Sequence, residues 1–402
     1  MEKRLFRTLK IVAIICAIIL LIECIYIMFF IDKKSIYFDG INSVVSNDKF
    51  LVSVGSNNNN VNYYEKAKVT RYNSKKEKSF EKIYNKGFNG VYFDVLIDES
   101  ENIIAVGSYE KDEKEFKNRN RTALIVKYDK AGNIIYENDF QLLGNSKFTS
   151  VYEVEDGYIV AGQTIYDNMT VGLSEDGGGI IVKYNKNLDI VWIENYGDNK
   201  AGVFNDILVH NDYIYAVGLS SPTVGVVAKY NLEGELQKSY EYKDSDGLGF
   251  SGLAYKNSQL FVCGGKINRD NNDSNGVIAL FSKNLELKEE VEFDGNGYDR
   301  FNQLIIDEDD NIVVVGTIAT IDKNEEEKNA NAFNHDGVIA KYDDDLDKIK
   351  ELTYGDERDD YFTSIIDYDG NYLVSGYSSY EDGSYLSKFI KYSYALKVLG
   401  VE

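Results

Sequence analysis

Short runs in which apolar and polar residues alternate follow one another along most of the chain, with no helical period between them. The clearest example reads Y-G-D-E-R-D-D-Y-F-T-S-I-I-D-Y-D-G-N-Y-L-V-S-G over residues 354–376, then a polar loop, then S-K-F-I-K-Y ending at Tyr392. The same pattern recurs seven times. A Gly closes an apolar run at Gly55, Gly107, Gly162, Gly218, Gly264, Gly316 and Gly376. Fourteen residues before it stands Phe93, Phe148, Phe204, Phe250 or Phe362, with Ile41 in the first copy and Phe301, fifteen before, in the sixth. A second apolar run ends downstream in Tyr72, Tyr128, Tyr184, Tyr230, Phe281, Tyr342 or Tyr392. Arg71, Lys127, Lys183, Lys229, Lys341 and Lys391 precede that aromatic in every copy but the fifth.

The spacing from the upstream aromatic to the Gly is nearly constant, whereas the spacing from Gly to the downstream aromatic runs from 12 to 26 residues. The first two strands of each copy therefore form a hairpin of fixed length, and insertions fall only before the third. A fourth alternating run, such as I-V-W-I-E-N-Y over residues 190–196, ends each copy. Four short strands per ~50 residues predict a propeller blade. The chain is thus expected to be all-β, a seven-bladed β-propeller of four-stranded antiparallel blades over residues 37–402. One of two terminal runs, residues 35–38 or 396–401, is expected to serve as the fourth strand of the seventh blade.

Residues 11–31 are apolar except for Glu23 and long enough, at ~1.5 Å per residue, to cross a bilayer core as a helix. Residues 1–10 are basic, residues 32–36 make a short tether, and no small-residue cleavage site or lipidation pattern follows the apolar stretch. An uncleaved transmembrane signal anchor is expected, with Lys3, Arg4, Arg7 and Lys10 on the cytoplasmic side and the propeller outside the cell. Glu23 is an intramembrane carboxyl that either pairs with a partner helix or stays protonated. If residues 35–38 run as a fourth strand, the chain enters from the face of the loops after the first and third strands. The variable loops then point away from the membrane.

The net charge of −22 is more acidic still beyond residue 34, where 38 basic residues face 63 acidic ones. Nucleic acid and anionic headgroups are thereby disfavoured as partners of the soluble part. Cys16 and Cys24 lie in the apolar stretch, so Cys263 has no disulfide partner within the propeller.

The repeat resembles bacterial propeller repeats of the type Y-G-G…D-G-G-Y-I-V-A-G…I-V-K-L-D…W, related to SBBP-type repeats. The carriers are E-D-G-Y-I-V-A-G over 155–162, I-I-V-K-Y over 180–184, I-V-W over 190–192 and Y-G-D at 196–198 and 354–356. The resemblance implies a fold, and such repeats occur in many surface proteins of unassigned role.

Four sets of residues are candidates for chemistry. The variable loops 108–122, 163–178, 317–336 and 377–385 share one face and carry Tyr109, Tyr166, Phe333, His335, Tyr377 and Tyr380 as stacking surface. Two positions after the first-strand aromatic, Ser43, Ser150, Asp206, Gly252, Gln303 and Ser364 are expected to line the central channel, with Val95 the exception. Asp307, Asp309, Asp367 and Asp369 sit in acidic turns with a partial likeness to calcium loops. The bland reading of these turns is that hairpins favour Asp, Asn and Gly. No catalytic constellation stands out: His210 and His335 fall on opposite faces. The expectation is a membrane-tethered binding or scaffold module for a protein or cell-envelope polymer, without a cofactor. An envelope glycan hydrolase using paired carboxylates and a sensor coupled through Glu23 are the alternatives.

Overall fold

A computed structural model describes residues 39–57, 65–111, 121–140, 145–165, 177–196, 202–221, 223–242, 247–268, 273–293, 295, 297–321, 333–355, 358–379 and 385–401. Its regular elements are twenty-eight strands, β1 to β28, in seven antiparallel sheets of four consecutive strands. The chain is a seven-bladed β-propeller. Among the described residues no helix is long and apolar enough to cross a membrane, and the expected span at 11–31 lies outside them.

The innermost strands are β1 (Asp39–Ser46), β5 (Phe88–Ile97), β9 (Asn145–Val154), β13 (Val203–His210), β17 (Leu248–Lys256), β21 (Arg300–Ile306) and β25 (Asp360–Asp367). In every blade the recurrent Gly of the second strand faces one first-strand residue: Ile41, Tyr92, Phe148, Phe204, Phe250, Phe301 or Phe362. A register shift follows at once in all seven. This bulge brings a first-strand carbonyl against the Gly Cα, so that a Cβ on Gly316 would overlap the Arg300 carbonyl. The Gly is fixed by this close approach, while the bulge turns the next residues toward the axis.

The second blade corrects the sequence register. Tyr92, fully buried, takes the position expected for Phe93, and Phe93 falls in the bulge. A Tyr–Phe pair one residue apart in sequence cannot be ordered by period alone.

A fourth-strand aromatic joins six of the seven seams between blades in one way, and the seventh, between blades seven and one, has a different pair, Tyr72 edge-on to Phe389 at 5.8 Å. The residue ending each fourth strand or just after it packs on the first-strand aromatic of the next blade: Tyr84 on Tyr92, Phe140 on Phe148, Tyr196 on Phe204, Tyr242 on Phe250, Phe293 on Phe301 and Tyr354 on Phe362. Ring centroids are 5.3–6.5 Å apart. This gives a role to the Tyr of the two Y-G-D motifs, Tyr196 and Tyr354.

At the ring's junction, β28 (Val398–Val401) is the fourth strand of blade seven, paired with β27 (Tyr385–Tyr392). The C-terminal run therefore holds the place that residues 35–38 were the other candidate for; those residues lie outside the described set. The antiparallel order puts the start of β1 on the same face as the loops after the second and fourth strands. The expected entry from the opposite face concerns residues 35–38, which lie outside the described residues.

Candidate functional site

The bulges build two layers of polar side chains around the axis. In the first layer the Asn42 amide donates to the Tyr92 carbonyl at 2.7 Å, Thr149 to Phe204 at 2.6 Å, Asn205 to Phe250 at 2.7 Å, Asn302 to Phe362 at 2.7 Å and Thr363 to Ile41 at 2.7 Å. Each bond crosses from one blade to the next.

The second layer holds the expected channel residues Ser43, Ser150, Asp206, Gln303 and Ser364. It also holds Asp94, which takes the place assigned to Val95. Val95 is instead 5% exposed in the core between blades one and two. The Ser43 hydroxyl donates to Asp94 at 2.8 Å, and Ser150 to Asp206 at 2.8 Å. The N–H of the next blade closes each link: Val151 to Asp94 at 2.9 Å, Leu253 to Asp206 at 3.3 Å, Ile365 to Gln303 at 2.7 Å and Val44 to Ser364 at 3.3 Å.

Burial raises the Asp206 carboxyl to about 7, with the charge of Asp94 adding to it against the bonds from Ser150 and Ile207. Burial also raises Asp94, opposed by the bonds from Val151 and Ser43. The channel volume is about 100 Å³. That is below the ~300–1,000 Å³ of ordinary small-molecule pockets. These carboxylates tie blades together and accept bonds from fixed donors. The missing sequence signal was the same one-residue ambiguity at Tyr92–Phe93.

The acidic turn at Asp307 proves equally committed. Asp307 has a fully buried side chain and accepts from Lys341 at 2.8 Å and from Tyr372 of the next blade at 2.6 Å. Its other oxygen accepts from the N–H groups of Asp309 and Asn311 at 3.0 and 2.8 Å, an Asx turn. Blade two repeats the device: Asp98 meets Lys127 at 3.0 Å and Tyr158 at 3.0 Å. The recurrent Lys before the strand-three aromatic thus acquires a physical role. For both aspartates burial acts upward. It is outweighed at Asp98 by bonds from Asn102, Lys127 and Tyr158, and at Asp307 by bonds from Lys341, Tyr372 and Asn311; both end below the usual carboxylate range. Of the other two calcium candidates, Asp367 accepts from Tyr394 and Asp369 lies 3.8 Å from Lys391. Among the described residues no group of three or more His, Cys, Asp or Glu is placed to hold a metal.

Among the described residues of the loop face, a half-buried aromatic cluster lies between blades six and seven. Tyr361 and Tyr377 are directly paired across β25 and β26 (Tyr372–Ser379), and their rings stack at 5.0 Å. His335, on β23 (Phe333–Tyr342), stacks on Tyr361 at 5.6 Å from the other blade. The His335 N–H donates to Asp359 at 2.9 Å, and its Nδ1 lies 3.1 Å from the same oxygen. Asp359 keeps 37% of its side chain exposed. Behind the rings, Lys388 meets Asp360 at 3.1 Å.

Of the six loop residues expected to stack, the structure brings His335 and Tyr377 together. Tyr361 was missed because it precedes a first-strand Phe and reads as part of the repeat. Tyr109 is a correction: it is 3% exposed, packs edge-on against Tyr84 at 5.6 Å, and its hydroxyl donates to Asp139 at 2.8 Å. It closes β6 (Ile103–Glu110), where strand burial continues to the last residue. Tyr166 and Tyr380 lie outside the described residues, as does the Phe333 side chain.

No family model and no curated protein matches this sequence. Solved structures do match in fold. The chain is similar to the WD40 β-propeller domain of Doa1 (11% identity, TM-score 0.53, covering 88% of this chain and 95% of that one). It is also similar to the β-propeller domain of the Trilobed protease from Pyrococcus furiosus, whose topology is described as open velcro (10%, 0.50, 92% and 96%). A third is Pyrococcus horikoshii acylaminoacyl peptidase (7%, 0.50, 92% of this chain and 52% of that one). At such identities the likeness shows the fold alone.

Proposed function

We propose that the protein is a membrane-tethered, extracytoplasmic binding or scaffold module that takes a protein or a cell-envelope polymer on the face of the long loops. The stacked column of His335, Tyr361 and Tyr377, flanked by the half-exposed Asp359 carboxylate, carries this reading. Rings held by stacking across two rigid strands offer contact area at little conformational cost, and a carboxylate beside them accepts hydroxyl or amide hydrogens. The apolar stretch 11–31 with its basic leader supports the tether.

The hydrolase alternative requires two carboxylates around an accessible scissile bond. Asp94 and Asp206, the two carboxylates lining the channel, instead hold inter-blade bonds in a narrow space, which favours binding over hydrolysis. Glu23, on which a sensor role turns, lies outside the described residues.

The test is cross-linking and capture by the full-length protein in intact membranes, with soluble envelope polysaccharide as a second bait. Wild type should retain a stoichiometric protein or the polysaccharide, and Tyr361→Ala/Tyr377→Ala should retain at least tenfold less at unchanged melting temperature. Equal retention by the two forms would remove this face from the function.

A further inference from the structure

Two cations face each other across the axis at the mouth of the channel. Lys147 on β9 and Arg300 on β21 each stand directly before the first-strand aromatic of their blade, Phe148 and Phe301. Blades three and six lie on opposite sides of the ring, and both residues fall at the start of an innermost strand. They therefore sit at the end of the channel that opens on the face of the long loops. Tyr361 of the stacked column holds the same place in blade seven.

Each side chain rests on a residue that lines the axial cavity. The Arg300 guanidinium donates from Nε and Nη2 to the Ser251 hydroxyl at 3.2 and 2.8 Å, and the Lys147 ammonium lies 5.7 Å from the centroid of the Phe93 ring. Ser251 and Phe93 both line the cavity of about 100 Å³. Blade five makes room for the Arg300 stem at Gly265, where a Cβ would meet it at 3.4 Å. Arg300 is exposed and Lys147 half-buried. Among the described residues neither head group pairs with a carboxylate, although acidic side chains outnumber basic ones by 66 to 44. Burial lowers the Lys147 ammonium from its ordinary value, and the charges of Arg121 and Arg300 act in the same direction. Arg121, by contrast, has the charges of Glu110 and Glu65 beside it.

Like charges that converge on one opening without a counter-charge are compensated by an anion. We propose that the channel mouth is a phosphate site, taking the free ion or a phosphate monoester between the Arg300 guanidinium and the Lys147 ammonium. The guanidinium keeps N–H donors beyond the two given to Ser251, in a planar fork that suits an oxyanion, and the ammonium adds a second charge for a dianion. The Ser251 hydroxyl, accepting from Arg300, keeps its own hydrogen to donate. A cavity of this volume takes a phosphoryl group and leaves the rest of an ester on the loop face. One layer deeper the carboxyls of Asp94 and Asp206 face the same cavity. They repel an anion from the channel and fix its place at the mouth. The site goes beyond the loop-face reading and stands on other residues, so phosphate binding and partner capture can each fail without the other.

The experiment is equilibrium dialysis of the full-length protein in detergent, at low ionic strength, against radiolabelled inorganic phosphate and, separately, glycerol 3-phosphate. Wild type should bind one equivalent of at least one probe. Lys147→Gln/Arg300→Gln should bind it at least tenfold more weakly, and Lys238→Gln, on the exposed outer strand of blade four, as tightly as wild type. Binding of both probes assigns the site to the phosphoryl group alone, and binding of the ester alone assigns it to a larger phosphorylated ligand. No saturable binding of either probe, or equal binding by the double variant, overturns the proposal. A second readout needs no variant: the bound probe should slow acetylation of Lys147 by acetic anhydride at least tenfold, followed by mass spectrometry, and leave Lys238 unchanged. Equal rates at Lys147 with and without the probe overturn the site as well.

Discussion

The Thr363 hydroxyl donates to the Ile41 carbonyl at 2.7 Å, joining the last blade to the first across 322 residues of sequence. Its counterpart Thr149 makes the same bond to Phe204 at 2.6 Å inside the ring. Thr→Val keeps the shape and leaves a carbonyl unpaired, which costs about 1–3 kcal/mol. Thr363→Val should lower the urea midpoint more than Thr149→Val, because the junction has fewer buried side chains to hold it once the bond is gone. Equal losses would show that the junction is no weaker than its neighbours.

The recurrent Gly invites a paired substitution. A Cβ on Gly316 would overlap the Arg300 carbonyl, a backbone atom held by the bulge, whereas a Cβ on Gly400 meets nothing within 4 Å. Gly316→Ala should destabilise by about 1–3 kcal/mol through overpacking. Gly400→Ala should be neutral or stabilising by up to about 1 kcal/mol, since it restricts only the unfolded chain. Thermal melts of the two variants decide whether the Gly is kept for space.

Much of this architecture is legible in the sequence because each blade repeats one hairpin with one bulge. The strand count, the blade count and five of the channel positions follow from that period. The failures are local and have physical causes. Tyr92 and Phe93 are both aromatic and adjacent, so the period does not choose between them, and the error moved the channel residue from Asp94 to Val95. Tyr109 looked like loop surface because its strand runs on past the repeat, which buries it. The Asp98–Lys127–Tyr158 and Asp307–Lys341–Tyr372 clusters each join a turn and two strands of two blades, and no single-copy pattern shows that their members meet.

Those clusters make a prediction about the recurrent Lys. Lys341 and Asp307 have 9% and 0% of their side chains exposed, so Lys341→Met strands a buried carboxylate. A loss of about 3–5 kcal/mol is expected, with partial recovery in Asp307→Asn/Lys341→Met. Lys391→Met, whose partner Asp369 is 83% exposed, should cost at most about 1 kcal/mol. Bonds that overcome burial hold Asp98 and Asp307 below the usual carboxylate range. Their contribution is therefore full above the ordinary carboxyl value and is lost as pH falls through the lowered ones. Chemical denaturation should show wild type weakening below about pH 4, where Lys341→Met weakens less.

Asp206 predicts a pH dependence of opposite sign. Burial, reinforced by the Asp94 charge, raises its folded-state value to about 7. In the unfolded chain it returns to about 4, so between the two the folded protein binds the extra proton. Its contribution is full below about pH 4 and is lost as pH rises through 7, by at most about 1.4 kcal/mol per pH unit. Wild type should accordingly unfold at lower urea at pH 8 than at pH 5, and Asp206→Asn, which does not titrate, should flatten that slope. A slope that survives in Asp206→Asn and disappears in Asp94→Asn would place the shared proton on the other side of the Ser150 link. A slope unchanged in both would mean that the channel admits enough water to keep the two carboxylates ionised.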